Sequence, residues 1–380
     1  MKTAVLTWYS GNNYGSSMQA YALAHYLSSI GAPSELLVYT PNKITAWKRK
    51  IKNHNVMTTL RYKANELYVR LAHRQHGQVS DNMDLFDAFR QTYMRFSPRC
   101  VSPRDLQTTA RRYDAVICGS DQIWNPYFFD PVYYLSFVED PEKRVAYAPS
   151  LGVEAIPDRV KQDLAQMVAP IRHLSVREEH AADLLAGLIG RRPAVVADPV
   201  MLLEAETWLA LASDAPLPVG KPYLLCYFLR HNPAHYAKAR KLADQFGMEV
   251  QTIPMLMGDC KRADTITQPI GPREWIALIR DASFVLTDSF HCSLFSIILR
   301  KDFYSLPNTT EGAKRQQNSR IENLLRMTQL ESRFLTGGAE PALRISTPQY
   351  QKAQQNIAQK RAESGRWLTD ALRAVEARAK

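Results

Sequence analysis

Short apolar runs recur along this chain, each followed by a polar loop and then by a segment with helical spacing, and that alternation restricts the fold more than any other feature. TAVLTW, ELLVY, AVICGS, RVAYA, HLSVR and AVVADP read as strands, and MQAYALAHYLSSIG, NMDLFDAFRQTYMRF, VKQDLAQMV and EEHAADLLAGLI between them read as helices. Apolar runs alternating with helices predict a largely parallel sheet covered on both faces. After DPVMLL, the Pro- and Gly-bearing AETWLALASDAPLPVGKP suits a domain boundary. A second cycle follows: YLLCYFL, AHYAKARKLADQFG, MEVQTIP, PREWIALIRDA, SFVLTDS and LFSIILR. The expected fold is α/β with two Rossmann-like domains, residues 1–200 and 201–345. A long helix over 346–380, with an apolar stripe at Ile357, Trp367, Leu368, Leu372 and Val375, would pack on a domain or cross between the two.

At 380 residues the chain can bury substantial cores without metal or disulfide support. Its 46% hydrophobic and 22% charged residues exclude a disordered or fibrous protein. The beginning, MKTAVLTWYSGNN, lacks the apolar core of a signal peptide, and no run approaches the ~18 apolar residues of a membrane span. Cys100, Cys118, Cys226, Cys260 and Cys292 are scattered without C-x-x-C spacing, so no zinc site or disulfide framework is signalled. The expectation is a cytoplasmic protein without a metal. The net charge of +11 is concentrated in residues 43–74, where Lys43, Lys48, Arg49, Lys50, Lys52, Arg61, Lys63, Arg70 and Arg74 face only Glu66. That segment is either a solvated helical face or a patch for an acidic partner such as an anionic membrane surface. Nucleic acid is not expected, because no reading module accompanies the charge.

In open α/β sheets ligands bind beyond the carboxyl ends of strands, and four such loops carry unusual polar residues. SGNNYGS, residues 10–16, leads into a helix; Asn12, Asn13, Tyr14 and Gly15 there would offer N–H groups to an anion or simply turn the chain. CGSDQIWNP, residues 118–126, brings Ser120, Asp121, Gln122, Trp124 and Asn125 out of a strand. Asp121 suits a base or acceptor, and the rival is an Asx turn with Trp124 in the core. SVREEH places Arg177 between a strand and a helix, suited to a phosphate or carboxylate, with an ion pair to Glu178 or Glu179 as the structural rival. TDSFHCSLFS ends a strand in Asp288 and opens a helix near Ser289 to His291, where an imidazole among backbone donors suits an anion or merely packs. The pairs His73 with His76 and His231 with His235 lack companions of ligand spacing.

The four loops, in this order, resemble the polysaccharide pyruvyl transferase family. The likeness runs through GNNYGSSMQAYAL, GSDQIWNP, SVREE, DPVMLL and TDSFHCSLFSIIL to NSRIENLLRMTQLESRFL, with GSDQIWNP and TDSFH the specific segments. One departure is Cys292, where the family usually has Gly; a side chain there would stand at the pocket wall.

The resemblance implies a two-domain fold similar to GT-B glycosyltransferases, the second domain serving the donor and the first the acceptor. It implies transfer of a pyruvyl group from phosphoenolpyruvate, a co-substrate rather than a bound cofactor, to two hydroxyls of a sugar in a cell-surface polysaccharide or its precursor, lipid-linked forms included. His291 would be proton donor or phosphate partner. Arg177 would bind the donor from the other domain, with Ser289, Arg320 and Arg315 as further donor-binding candidates in place of an arginine that relatives carry just before the histidine. Asp121 and Asp288 would accept hydroxyl protons, unless Asp288 caps the helix after it. The remaining loop residues would line the acceptor. Two rival readings share the fold: a glycosyltransferase using a nucleotide sugar, and a non-catalytic binding protein.

Overall fold

The computed structural model describes residues 1–41, 82–217, 220, 222–255, 259, 262, 264–308, 318–337 and 342–379. The basic segment at 43–80 and Arg315 lie outside the described residues. The chain divides into two compact units, one comprising Met1–Lys63, Arg90–Leu203 and Lys360–Lys380, the other Ala64–Phe89 and Glu204–Gln359.

The first unit is built on seven parallel strands: β1 (Thr3–Leu6), β2 (Ser34–Tyr39), β3 (Phe96–Cys100), β4 (Ala115–Cys118), β5 (Arg144–Ala146), β6 (His173–Val176) and β7 (Ala194–Val195). Their order is β3-β2-β1-β4-β5-β6-β7, so the winding reverses between β1 and β4. Those two central strands are buried at every position, as apolar runs covered on both faces must be. β3 is an edge strand whose Pro98 and Arg99 interrupt any apolar pattern, which a strand paired on one side tolerates. The helices here are α1 (Tyr14–Ser29), the end of α2 (Met83–Tyr93), α3 (Pro103–Ala110), α4 (Asp158–Val168) and α5 (Glu179–Ile189).

The second unit has four parallel strands, β8 (Tyr223–Tyr227), β9 (Glu249–Thr252), β10 (Phe284–Thr287) and β11 (Phe303–Ser305), in the order β11-β10-β8-β9. Here the winding reverses between β8 and β10. Its helices are α6 (Ala205–Leu211), α7 (Pro233–Phe246), α8 (Pro272–Asp281), α9 (Phe290–Ile298) and α10 (Ser319–Thr328). Trp208 and Trp275 meet Phe295 edge to face at 4.8 and 5.2 Å, and all three rings are fully buried. Burying a side chain of this kind contributes about 1.5–3 kcal/mol each. The α/β class, the parallel sheets and the long C-terminal helix are thus as the alternation predicts.

That last helix, α11 (Thr347–Ala379), belongs to the second unit up to Gln359 and to the first from Lys360. In the second unit, Gln354 and Asn356 donate amide hydrogens to the carbonyls of Ile297 and Met327 at the ends of α9 and α10. In the first, Lys360 donates to the Val195 carbonyl, Arg361 to those of Met201 and Leu203, and Ser364 Oγ accepts the Ala197 amide. Gly365 lets the helix approach Tyr26, whose hydroxyl occupies the space a Cβ would fill.

Gly119, the first residue beyond β4, has φ +121° and lies so near the Tyr147 carbonyl that a Cβ would overlap it. Both conditions admit only glycine. Gly119→Ala is expected to leave little folded protein at 37 °C, read by circular dichroism and thermal unfolding; a wild-type melting curve would refute this.

Candidate functional site

In the first unit the loops beyond β1 and β4 are tied together by a closed polar network. Gln19 of α1 donates from Nε2 to Thr7 Oγ1 (3.0 Å) and to the Trp8 carbonyl (2.9 Å), while its Oε1 accepts the Ser120 amide at 3.0 Å. Ser120 is fully buried and its hydroxyl donates to the Ala148 carbonyl. Asp121, held at φ +66°, accepts the Ser16 hydroxyl at 2.5 Å on one oxygen and the Gln122 amide at 2.8 Å on the other. Its own carbonyl accepts the Ser150 amide. Asp121 thus puts a carboxylate at the start of α1, a helix whose first turn carries no acidic residue. Negative charge there is favourable, and the protein supplies it itself. Asp121 meets this turn through the Ser16 hydroxyl, beside the loop Asn12 to Gly15. Asn13 caps α1 by accepting the Ser16 amide, Tyr14 and Gly15 are buried, and Asn12 and Asn13 are exposed.

Trp124 is in the core, stacked on Tyr134 at 5.0 Å with its indole N–H donated to the Tyr133 carbonyl. Asn125 caps the short helical turn Pro126–Phe128 and donates to Gln122 Oε1 at 3.1 Å; Gln122 is partly exposed.

Arg177 follows β6 and is buried. Its guanidinium donates to Glu178 Oε1 at 2.9 Å and to Asp198 Oδ2 at 2.7 Å, joining the ends of β6 and β7. Burial by itself would lower its pKa, but the carboxylates of Glu178, Asp198 and Asp121 hold it above the ordinary value. The guanidinium is thus bound by carboxylates of the protein itself. The ion pair with Glu178 that rivalled the anion-binding reading is present, and Asp198 strengthens it.

The second unit presents a different cluster at the β8/β10 reversal. Asp288, the first residue after β10, is buried and turns back across the reversal to accept the Leu229 amide at 2.6 Å and the Arg230 amide at 3.2 Å. It does not cap α9. Ser289 does, accepting the Cys292 amide, while its own N–H goes to Thr287 Oγ1, whose hydroxyl in turn donates to the Tyr227 carbonyl. Burial pushes Asp288 up to about 7 against the two amides and nearby Arg230. His291 follows in the first turn of α9, an acid-free turn, with 8% of its surface exposed and its ring edge to face with Phe290.

Two guanidiniums approach this turn. Arg320 of α10 stands 6.0 Å over the Phe290 ring. Arg230, in the loop beyond β8, is exposed and donates from Nε to Asn308 Oδ1 at 2.7 Å; Asn308 Nδ2 donates to the Asp288 carbonyl at 3.1 Å. Arg230 belongs to no motif in the sequence. Its signal was position alone, three residues past the apolar run YLLCY. Cys292, expected at a pocket wall, is fully buried, so no open pocket can be lined by it.

Of the expected site residues, the second unit brings together Asp288, Ser289, His291 and Arg320, and adds Arg230. The first brings Asp121 near Arg177 and withdraws Ser120 and Trp124 into the interior. Among the described residues no group of three or more His, Cys, Asp or Glu is placed to hold a metal ion, and no helix is long and apolar enough to cross a membrane.

With two parallel-sheet units whose polar loops lie beyond the strand ends, the molecule is an α/β protein of the doubly wound kind, in which ligand sites lie outside the carboxyl ends of the strands. The family model of polysaccharide pyruvyl transferase matches residues 13–310, and the chain belongs to that family. The matched stretch takes in every residue of the clusters above except Thr7, Trp8, Asn12 and Arg320. No curated protein matches the chain. Among solved structures it is similar to the UDP-GlcNAc 2-epimerase of Neisseria meningitidis bound to UDP-GlcNAc, with 10% identity and a TM-score of 0.47, covering 96% of this chain and 100% of that one. It is also similar to the E. coli heptosyltransferase WaaC with ADP, at 13% identity and a TM-score of 0.40 over 95% and 100% of the two chains. A third is the Streptomyces sp. SF2575 glycosyltransferase SsfS6, at 13% identity and 0.39 over 96% of each.

Removing the Arg177 guanidinium strands two buried carboxylates, so Arg177→Ala is expected to lower unfolding free energy by about 3–5 kcal/mol in urea titration. Wild-type stability combined with weakened anion binding would return Arg177 to the donor site. Asp288 has a folded-state pKa above its unfolded one, so the native state binds the extra proton between about pH 4 and 7 and stability falls as pH rises through that window. Asp288→Asn should flatten this slope, and an unchanged difference in stability between acidic and neutral buffer would contradict it.

Proposed function

We propose that this chain moves the pyruvyl group of phosphoenolpyruvate onto two hydroxyls of a sugar, forming a ketal and releasing phosphate. The observation that carries the reading is the cluster at the β8/β10 reversal: an imidazole in an acid-free first helical turn with Arg230 and Arg320 close to the same turn. The donor carries a phosphate and a carboxylate on one small carbon skeleton, so it needs cations and an acid in one place.

Protonation of C3 generates an oxocarbenium-like centre at C2. A sugar hydroxyl adds there, phosphate departs with the C–O electron pair, and a second hydroxyl closes the ketal. Of the two hydroxyl protons lost, one balances the proton delivered to C3 and the other leaves on phosphate. His291 delivers the C3 proton or binds the phosphate, and Arg230 with Arg320 neutralises the donor's charges. Asp288 is a positioning residue, since both its oxygens are engaged by the amides that fix the Arg230 loop. Asp121 likewise positions the start of α1. Arg177 holds the ends of β6 and β7 together. The enzyme needs no bound cofactor in this scheme, works where phosphoenolpyruvate is available, in the cytoplasm, and would act at the membrane face if its sugar is lipid-linked.

His291→Ala is expected to abolish phosphate release from phosphoenolpyruvate in the presence of acceptor while leaving the circular dichroism spectrum unchanged. Arg230→Ala should raise the donor KM roughly tenfold or more, the loss of one charge-assisted contact. Near wild-type turnover in the first variant removes His291 from the chemistry. Absence of a pyruvyl ketal by mass spectrometry over a broad acceptor panel refutes the activity.

A further inference from the structure

At the edge of the first unit's core lies a group of partly exposed aromatic rings. Trp8 lies two residues past β1 and Phe128 ends the short turn after β4, so both rings stand beside the winding reversal. Their centroids are 5.9 Å apart at an interplanar angle of 76°, and Tyr133 meets Trp8 at 6.2 Å and 89°. Phe128 is 44% exposed and Trp8 and Tyr133 are partly exposed, whereas Trp124 and Tyr134 beneath them are sealed in the core. The backbone carrying these rings is fixed from below. The Trp8 carbonyl accepts Gln19 Nε2, Asn125 caps the turn bearing Phe128, and the Tyr133 carbonyl accepts the Trp124 indole. Beside them, Gln122 is partly exposed and held to Asn125.

We infer that Trp8 and Phe128 form the stacking platform for a neutral pyranose ring of the acceptor, with the Gln122 amide as a hydrogen-bonding neighbour. This deepens the reading above and rests on its sugar acceptor. Rigid rings with an amide beside them suit a ligand whose faces are C–H and whose rim is hydroxyl. The rings are themselves uncharged, which suits the C–H faces of a neutral sugar. The platform residues were not legible as such. Trp8 reads as the tail of the strand run TAVLTW, and Trp124 in GSDQIWNP draws attention that its burial does not justify.

The test is saturation-transfer difference NMR on the full chain with an equimolar mixture of the methyl glycosides of glucose, galactose, mannose and N-acetylglucosamine. Ring C–H protons of at least one glycoside are expected to receive saturation in the wild type and to lose it in Phe128→Ala and in Trp8→Leu. Phe128 is exposed, so its variant folds even if Trp8→Leu does not. In turnover with a cognate acceptor, Phe128→Ala should raise the acceptor KM roughly tenfold with the donor KM unchanged. No saturation of any glycoside, or equal saturation in wild type and Phe128→Ala, overturns the platform. Saturation without any phosphoenolpyruvate turnover would instead sink the pyruvyl reading and leave the platform standing.

Discussion

The backbone amides of Leu229 and Arg230 meet the Asp288 carboxylate at 2.6 and 3.2 Å, and the chemistry of the second unit depends on that clasp. In a parallel sheet, adjacent strands at a winding reversal send their loops in opposite directions, so nothing in the sheet's own hydrogen bonds fixes one loop against the other. A carboxylate supplies the missing connection. It accepts two amides from β8's loop while the next residues start α9, and thereby sets Arg230 and His291 in one frame. The cost is visible in its pKa: burial holds Asp288 near 7, well above an ordinary aspartate, despite the hydrogen bonds it accepts.

The first unit solves the same problem with Asp121, which joins the loop of β4 to the start of α1 through Ser16. The two carboxylates sit at equivalent places, just past the strand at the reversal. The charged groups that meet them differ. Near Asp121 lies the ion-paired group of Arg177, Glu178 and Asp198; near Asp288 lie Arg230 and, by way of Phe290, Arg320.

Much of this was legible in the sequence because fully buried strands leave long apolar runs and the residues after them are forced to be polar. β1, β4 and β10 show this, each followed by one of the polar loops, whereas the Arg177 loop follows β6, whose first residue His173 is half-buried. β3 was not legible: Pro98 and Arg99 suit only an edge position, and edges carry no periodic signal. β11 is three residues long. The roles of the aspartates were also out of reach. Asp288 meets partners 59 and 58 residues earlier and Asp121 one that lies 105 residues earlier, so a sequence that exposes a polar residue at a strand end does not say whether its oxygens face ligand or backbone.

The same limit applies to the most conspicuous departure from the family pattern. Cys292 stands one residue after His291, and a thiol in a helix's first turn is ordinarily acidified by the N–H groups around it. Here burial dominates and pushes it up to about 12, with the Thr287 side chain as its polar neighbour. Successive residues on a helix point about 100° apart. His291 can therefore keep an exposed edge while Cys292 packs toward the sheet. The added side chain is absorbed by the core, and under the proposed reading the absence of an arginine before the histidine weighs more, because the donor's charge must then be met from a different loop. Arg230, fixed by Asp288 and Asn308, is in place to provide it.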